Sequence, residues 1–448
     1  MLTTDEARNR ATDLIAAARR AGADAADSVY SCDASTQVQV RLGALEDVQR
    51  SEGEEIGLRV FVGQRSASVS SSDLSAASLR ALAERAVAMA REAPEDRYAG
   101  LAPEDRLMTG ALPALELDDG ADPDPAQLKE RALAAEDAAR AVSGVTNSEG
   151  GGASAGRTLF ALATSHGFAG AYSLSGHGAS ASVIAGAGSG MERDAAYHSA
   201  RHLADLDDAE AIGRKAGERA VARLNPVKFA SGTMPVIFDP RVGGSLIGHL
   251  LGAINGAAIA RRTSFLLDRL GEEVAAPGIT VLDDPHRVRG LRSRPFDGEG
   301  LPTAPSRLLD RGVLTGWLMD SASARQLGLQ PTGHASRGSS GAPGAGASNV
   351  HVAPGEMTRE ALIAGVGNGV LVTHLIGQGV NGVTGDYSRG ASGFLIIGGE
   401  IGPPVTEITI ASNLKDMLRN LVAANDLEYR YAVNVPSIGV DGMTVACA

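Results

Sequence analysis

One histidine is placed where chemistry would need it. His249 lies in residues 243–268, GGSLIGHLLGAINGAAIARRTSFLLD, where Leu246, Ile247, Leu250, Leu251 and Ile254 recur at helical spacing. A strand over residues 235–238 feeds this helix, with Asp239 as its cap and Pro240 in the first helical position. An imidazole on such a helix is where a zinc peptidase holds its metal. That chemistry needs a second imidazole about one turn away and a carboxylate beside it to activate water. The residues preceding His249 are Gly244, Ser245, Leu246, Ile247 and Gly248, which supply neither. The helix is shaped for metal chemistry and lacks the reagents.

A second constellation is GDYSRGASG, residues 385–393. Glycine lets another backbone approach closely, so this segment is a candidate to take an extended peptide by main-chain pairing. Asp386, Arg389, Gly390, Ser392 and Gly393, together with His249, are therefore the candidate groove residues. The competing reading is an Asp386–Arg389 pair that braces a turn. A hydrolase using Ser392, Asp386 or His249 is a further alternative.

Other patterns carry less. Residues 152–156 fit GxSxG around Ser154, but strand-like sequence follows where a nucleophile elbow needs a helix. Residues 377–382 fit GxGxxG, again with no helix to receive a pyrophosphate. His198 and His202 have metal-like spacing but no acid positioned to help. The basic run His286, Arg287, Arg289, Arg292 and Arg294 reads as a solvated loop or a subunit-facing patch.

The elements that must position these residues follow from patterning. Thr3 and Glu6 form a capping box ahead of a helix ended by Gly22. Strands are predicted at residues 36–42, 45–50, 56–62 and 65–70, with turns at Gly53 and Gly63, then a helix capped by Ser72 or Asp73. Residues 93–125 carry five prolines among acids and read as an extended connector. A helix to Val142 follows, then short strands broken by Gly150 to Gly152, Gly167, Gly176 and Gly188, then a helix over residues 207–224. Helix, meander, helix thus occurs twice. A hairpin turns at Arg311-Gly312, and residues 332–348 are Gly/Ser-rich, predicting a mobile loop. Strands at residues 369–375, 383–387, 394–397 and 405–410 precede a helix over 414–423 and a final short strand pair. The fold class is α+β. Residues 1–115 form an N-terminal α/β domain, 116–228 a middle helix-meander-helix domain, and 229–448 a Gly-rich, mostly antiparallel β domain carrying the His249 helix.

Hydrophobic content of 44% over 448 residues supplies ample core for several domains, while 56 glycines against 4% aromatics point to close backbone approaches. A net charge of -12 argues against non-specific nucleic-acid binding. Two cysteines near opposite ends, no leader pattern at the start and no run of about 18 apolar residues lead us to expect a cytoplasmic protein with no membrane partner.

The strings GVTGDYSRGASGFLIIGGEIGPPVTEITIASNLKDMLRNLVAANDLE, SFLLDRLG, RPFDGEG and SARQLGLQPTGHA resemble the TldD/PmbA family, on its PmbA (TldE) side. The resemblance spans nearly the whole chain. It implies a three-part chain within a cytoplasmic peptidase complex, in which a TldD-like HExxxH subunit holds zinc and this type of chain pairs with it around an extended peptide. Laid on HExxxH with His249 as the second histidine, this chain has Gly244 for the first ligand and Ser245 for the general base. The zinc branch also uses a cysteine near its C-terminus, where this chain reads YAVNVP at residues 431–436. No catalytic residue, metal ligand or cofactor is therefore carried over to this chain, and zinc is expected in the partner subunit. A homodimeric peptide-binding protein is the alternative.

Overall fold

The computed structural model describes residues 1–447. Helix α1 (Thr4–Arg20) starts at the expected capping box, with Thr3 N–H donating to Glu6 Oε2 at 2.8 Å, and buries Ala7, Ala11, Leu14, Ile15 and Ala18. Strands β1 (Ala25–Arg41) and β2 (Ala44–Val62) form one long hairpin, turned at Leu42 and Gly43 with φ of 53° and 77°. Gly53 does not turn the chain; it pairs with Asp33 inside β2. Strand β3 (Arg65–Ser71) follows, then α2 (Ala76–Glu92). Its cap is Ser75 in place of the expected Ser72 or Asp73, because the Asp73 carboxylate accepts from Ser75 N–H and sets the turn one step later.

The unit repeats. Helix α3 (Pro125–Arg140) is capped by Asp124, strands β4 (Val145–Thr164), β5 (Ala169–Ala185) and β6 (Glu192–Ala200) form the meander, and α4 (Ala209–Ala222) is capped by Asp208. Glycines 150 to 152 were expected to break the strand, yet they lie within β4. A Cβ on Gly151 would sit 2.3 Å from Ala132 O, so this glycine lets α3 lie close on the strand. Strand β1 pairs β4, which fuses the two meanders into one antiparallel sheet of order β3-β2-β1-β4-β5-β6.

The last part begins with β7 (Gly232–Phe238) and α5 (Pro240–Ala253), which carries His249. The helix expected through this stretch is divided at Ile254 and Asn255. Asn255 caps a second helix, α6 (Gly256–Ala260), and its Nδ2 donates to Ala345 O. Strands β8 (Val281–Asp283), β9 (Ser306–Asp310) and β10 (Val313–Leu314) include the expected hairpin, with Arg311 and Gly312 at φ 48° and 85°. Then come α7 (Ser321–Leu327), β11 (Ala335–Ser336), β12 (Gly344–Ala345), β13 (Val350–Val352) and α8 (Arg359–Val366). Strands β14 (Gly369–Ile376), β15 (Asp386–Ile397) and β16 (Glu400–Asn413) lead to α9 (Leu414–Arg419), β17 (Leu421–Ala423), β18 (Val433–Asn434) and β19 (Ile438–Cys447). Helix α9 ends before the expected Ala423 because Leu421 leaves to pair with Val440 of β19. The strand expected from Val383 starts at Asp386, after a turn in which Asn381 Oδ1 accepts from Val383 N–H.

Each of β7, β14, β15, β16 and β19 pairs with two others of this set, so the five close into a ring. Leu246, Ile247 and Leu250 of α5 join the core that contains Phe238, Val372, Ile410 and Val440. Each such buried side chain contributes about 1.5–3 kcal/mol, which holds α5 by its apolar face. The Gly/Ser segment at residues 332–348, predicted mobile, is anchored instead. Buried Arg337 reaches Asp27 Oδ1 at 2.5 Å, Ser339 Oγ donates to Glu55, and a Cβ on Gly57 would sit 1.7 Å from Ser339 O. Small residues on both sides let this loop lie flat against the N-terminal sheet.

Candidate functional site

Strand β7 delivers the chain to Asp239, whose Oδ1 accepts from Arg241 N–H at 3.1 Å and starts α5. The first turn of α5 packs on the chain near the C-terminus: Cβ atoms on Gly243 and Gly244 would lie 2.9 Å from Val435 Cγ2 and 3.1 Å from Val433 O. Ser245 Oγ donates into its own helix, to Val242 O at 2.7 Å. One turn on, His249 is half-buried, its Nε2 is enclosed without a protein partner, and its ring meets Tyr387 edge-on at 6.0 Å. Burial, and then the nearby Arg389 guanidinium, depress the His249 pKa, so the imidazole is neutral near pH 7. Tyr387 is pushed up to about 12 by burial, against the pull of Arg389. Arg389 is buried, with its Nε unpartnered.

Strand β15 splits the remaining candidates. Side chains alternate along a strand, so Asp386 and Arg389, three residues apart, face opposite sides. The expected brace between them does not form. Asp386 is exposed and accepts from Thr384 Oγ1 at 2.6 Å and Asn413 Nδ2 at 3.2 Å. Gly390 pairs with Ile376 and Thr409, and Gly393 with Val372 and Val405. Beyond the end of β14 the open edge is covered by the chain itself, with Ser388 N–H donating to Gly379 O at 2.7 Å and Asn381 N–H to Asp386 O at 2.8 Å. No backbone edge is left in this segment for the expected main-chain pairing. Gly393 is small because β14 is close: its Cβ would lie 1.9 Å from Leu371 O. Ser392 joins another cluster, accepting from Arg223 Nη1 at 3.2 Å, while Arg223 also reaches His374 Nδ1 at 2.7 Å and Glu192 Oε2 at 3.0 Å.

That cluster lies in a cleft of about 990 Å³ between β6 and α4 on one side and the start of α5, the end of β14 and residues 426–435 on the other. Its carboxylates are tied to arginines. Arg241 meets Asp194 at 3.3 Å and Asp239 at 3.2 Å; Arg359 meets Asp239 at 3.2 Å and Asp426 at 3.9 Å. Arg430 holds Asp207 at 2.7 Å and Glu428 at 2.9 Å, and Arg193 holds Glu149 at 3.1 Å. Burial alone would raise Asp194 and Asp239, but His374 and Arg241 beside Asp194, and Arg241 beside Asp239, outweigh it and keep both carboxyls low. A smaller cleft, about 260 Å³, continues along β6 past His198 and Arg201. There Arg287 stacks on Tyr429 at 3.5 Å.

The weaker sequence patterns find structural roles. The basic run is a loop in which Arg292 is exposed, Arg289 pairs at the surface with Glu116 and Asp205, and Arg294 turns inward to donate to Ala335 O and Gly346 O. His198 Nδ1 accepts from Asp207 N–H while His202 Nε2 donates to Glu116 O, so the two rings serve different partners. Ser154 sits mid-strand in β4. Sequence reasoning missed the large cleft, whose walls come from separated segments with no motif of their own.

Residues 33–90, 118–224 and 231–447 match domain 1, the central domain and the C-terminal domain of the PmbA/TldA metallopeptidases. The chain belongs to the PmbA/TldD metallopeptidase family. It is 39% identical to metalloprotease PmbA of Escherichia coli over 425 residues, 94% of this chain and 92% of that protein. A PmbA homologue of Haemophilus influenzae is 38% identical over 98% of this chain and 96% of its own length, and a TldD homologue from that organism is 28% identical over 52% and 49%. Among solved structures, TldE of Thermococcus kodakarensis superposes with a TM-score of 0.87 at 22% identity over 98% of this chain and 100% of that one. A Bacteroides thetaiotaomicron protein, solved as a candidate modulator of DNA gyrase, gives 0.92 at 28% identity over the full length of both chains.

The resemblance to HExxxH chains sets positions 244, 245 and 249 where that branch would hold a metal, and here Gly244 lies against Val433. The donors do not suit zinc. His249 has a phenol and a guanidinium as neighbours, and the Arg389 charge opposes a second cation. Among the described residues, no group of three or more His, Cys, Asp or Glu side chains is arranged to hold a metal ion.

Proposed function

We propose that this chain is the zinc-less subunit of a two-subunit cytoplasmic metallopeptidase acting on unfolded or leader-bearing peptides. In this reading an HExxxH relative holds the metal and performs hydrolysis, while this chain shapes the peptide cleft and completes the assembly. The observation that carries it is the pairing of full-length family membership with glycine and serine at positions 244 and 245, on a helix that is otherwise intact. The outer face of α5 adds support: Gly248 and Gly252 have nothing within 4 Å of where a Cβ would stand, although interior glycines cost a helix about 0.8–1 kcal/mol each. A partner backbone packed there would offset that cost.

Co-expression with the HExxxH relative from the same cell tests the assignment. A stable heterodimer is expected on size exclusion. A chain that associates only with itself would reject it and favour a homodimeric peptide-binding protein.

A further inference from the structure

The large cleft holds two cations that form no ion pair with its own acids. Lys215 and Arg219 stand one turn apart on α4, on the same face, and both line the cleft. Every lining carboxylate is already held by one of the arginines named above. Arg219 has one bond, from Nη1 to Ala195 O at 3.1 Å, and the Lys215 ammonium has no hydrogen bond or ion pair among the described residues. Beside them the rings of Tyr197 and Tyr431 lie 5.9 Å apart, and Tyr197 is 56% exposed.

We infer that Lys215 and Arg219 form a seat for a carboxylate carried by the bound peptide, with Tyr197 and Tyr431 covering the adjoining hydrocarbon. The inference rests on the peptide-binding role proposed above and adds a chemical preference to it. Like charges one turn apart repel, and a carboxylate between them replaces that repulsion with two charge-assisted hydrogen bonds. Burial lowers the pKa of both groups, as do Arg219 and Arg430 beside Lys215 and Arg241 beside Arg219; Glu428 and Asp207 near Lys215, and Asp194 and Asp239 near Arg219, offset this only in part. A single carboxylate suits the site better than a polyanion, because Asp207 and Glu428 flank the same wall. The carboxylate comes from the peptide C-terminus or from an acidic side chain.

Three forms of one N-terminally labelled, unstructured peptide separate these sources. The first has a free C-terminus and no acidic residue, the second is amidated, and the third is amidated with one internal glutamate. Anisotropy titrations use the full chain, alone and mixed with its HExxxH relative. The amidated neutral form should bind about tenfold more weakly than a carboxylate-bearing form. Preference for the first form assigns the seat to chain ends, and equal preference for the first and third assigns it to any carboxylate. Lys215→Gln combined with Arg219→Gln should abolish the difference, and Lys215→Arg should keep it. Lys215→Gln alone reduces the difference and safeguards the test, since the Lys215 ammonium makes no hydrogen bond or ion pair that the fold would lose. Equal binding of all three forms, or a preference that survives the double substitution, overturns the seat and leaves the peptide role standing. Failure of every form to bind, with or without the partner, overturns both.

Discussion

Glu299, in the RPFDGEG segment, makes the stability of this fold depend on pH near neutrality. The carboxylate is 5% exposed, and its Oε2 accepts from Ser321 N–H at 2.8 Å and Ser321 Oγ at 2.6 Å. Burial pushes its pKa up to about 7 from 4.5; Ser321 pulls it back in part, and the neighbouring Asp297 raises it further. A group whose folded pKa lies above its unfolded value binds its proton more tightly in the native state. Its contribution is therefore complete below the unfolded value near 4.5 and is lost as pH rises toward 7. The interval corresponds to about 3 kcal/mol. Asp297, also raised by burial, adds in the same direction. Glu299→Gln removes the ionisation at nearly constant shape and leaves one amide donor to be accommodated, a cost of about 1 kcal/mol. In urea unfolding the variant should be slightly less stable than the parent near pH 5 and more stable by about 2 kcal/mol near pH 8. A difference between the two proteins that does not change with pH would refute the reasoning.

Two further expectations are simpler. Gly393→Ala should cost about 3 kcal/mol or more by driving β15 off β14, since its Cβ meets Leu371 O at 1.9 Å; Gly390→Ala, 3.4 Å from Ile376 Cβ, should change the melting temperature little, as circular dichroism will report. The purified chain should retain no stoichiometric zinc after dialysis, and Gly244→His with Ser245→Glu should not make it a peptidase, because the third ligand and its supporting shell are absent; metal analysis and a peptide-hydrolysis assay check both.

Much of the fold was legible because its signals are local. The capping box at Thr3, the Asp239-Pro240 start of α5, the Arg311-Gly312 turn and the repeated helix-meander-helix pattern depend on neighbours in sequence. Strand lengths were not. Gly53 and Gly151 look like breaks in sequence, but one continues a ladder and the other admits a helix, and only tertiary context separates those cases. The Gly/Ser loop reads as mobile for the same reason: its anchor, Asp27, lies 310 residues from Arg337. His249 stands out in the sequence, whereas Tyr387 and Arg389 become its neighbours only through the tertiary fold. Lys215 and Arg219 have nothing in their spacing to set them apart from an ordinary solvated helix face.

In the proposed assembly, catalysis belongs to a partner and not to this chain. The most direct test is hydrolysis of an unstructured peptide by this chain, by the HExxxH relative and by their mixture, with and without chelator. The mixture should be active and chelator-sensitive, and this chain alone inactive. Substitution of the relative's HExxxH glutamate should abolish turnover, while His249→Ala here should leave the chemical step nearly unchanged. Full activity from this chain alone, or an active mixture that loses turnover with His249→Ala while the complex stays assembled, would contradict the account.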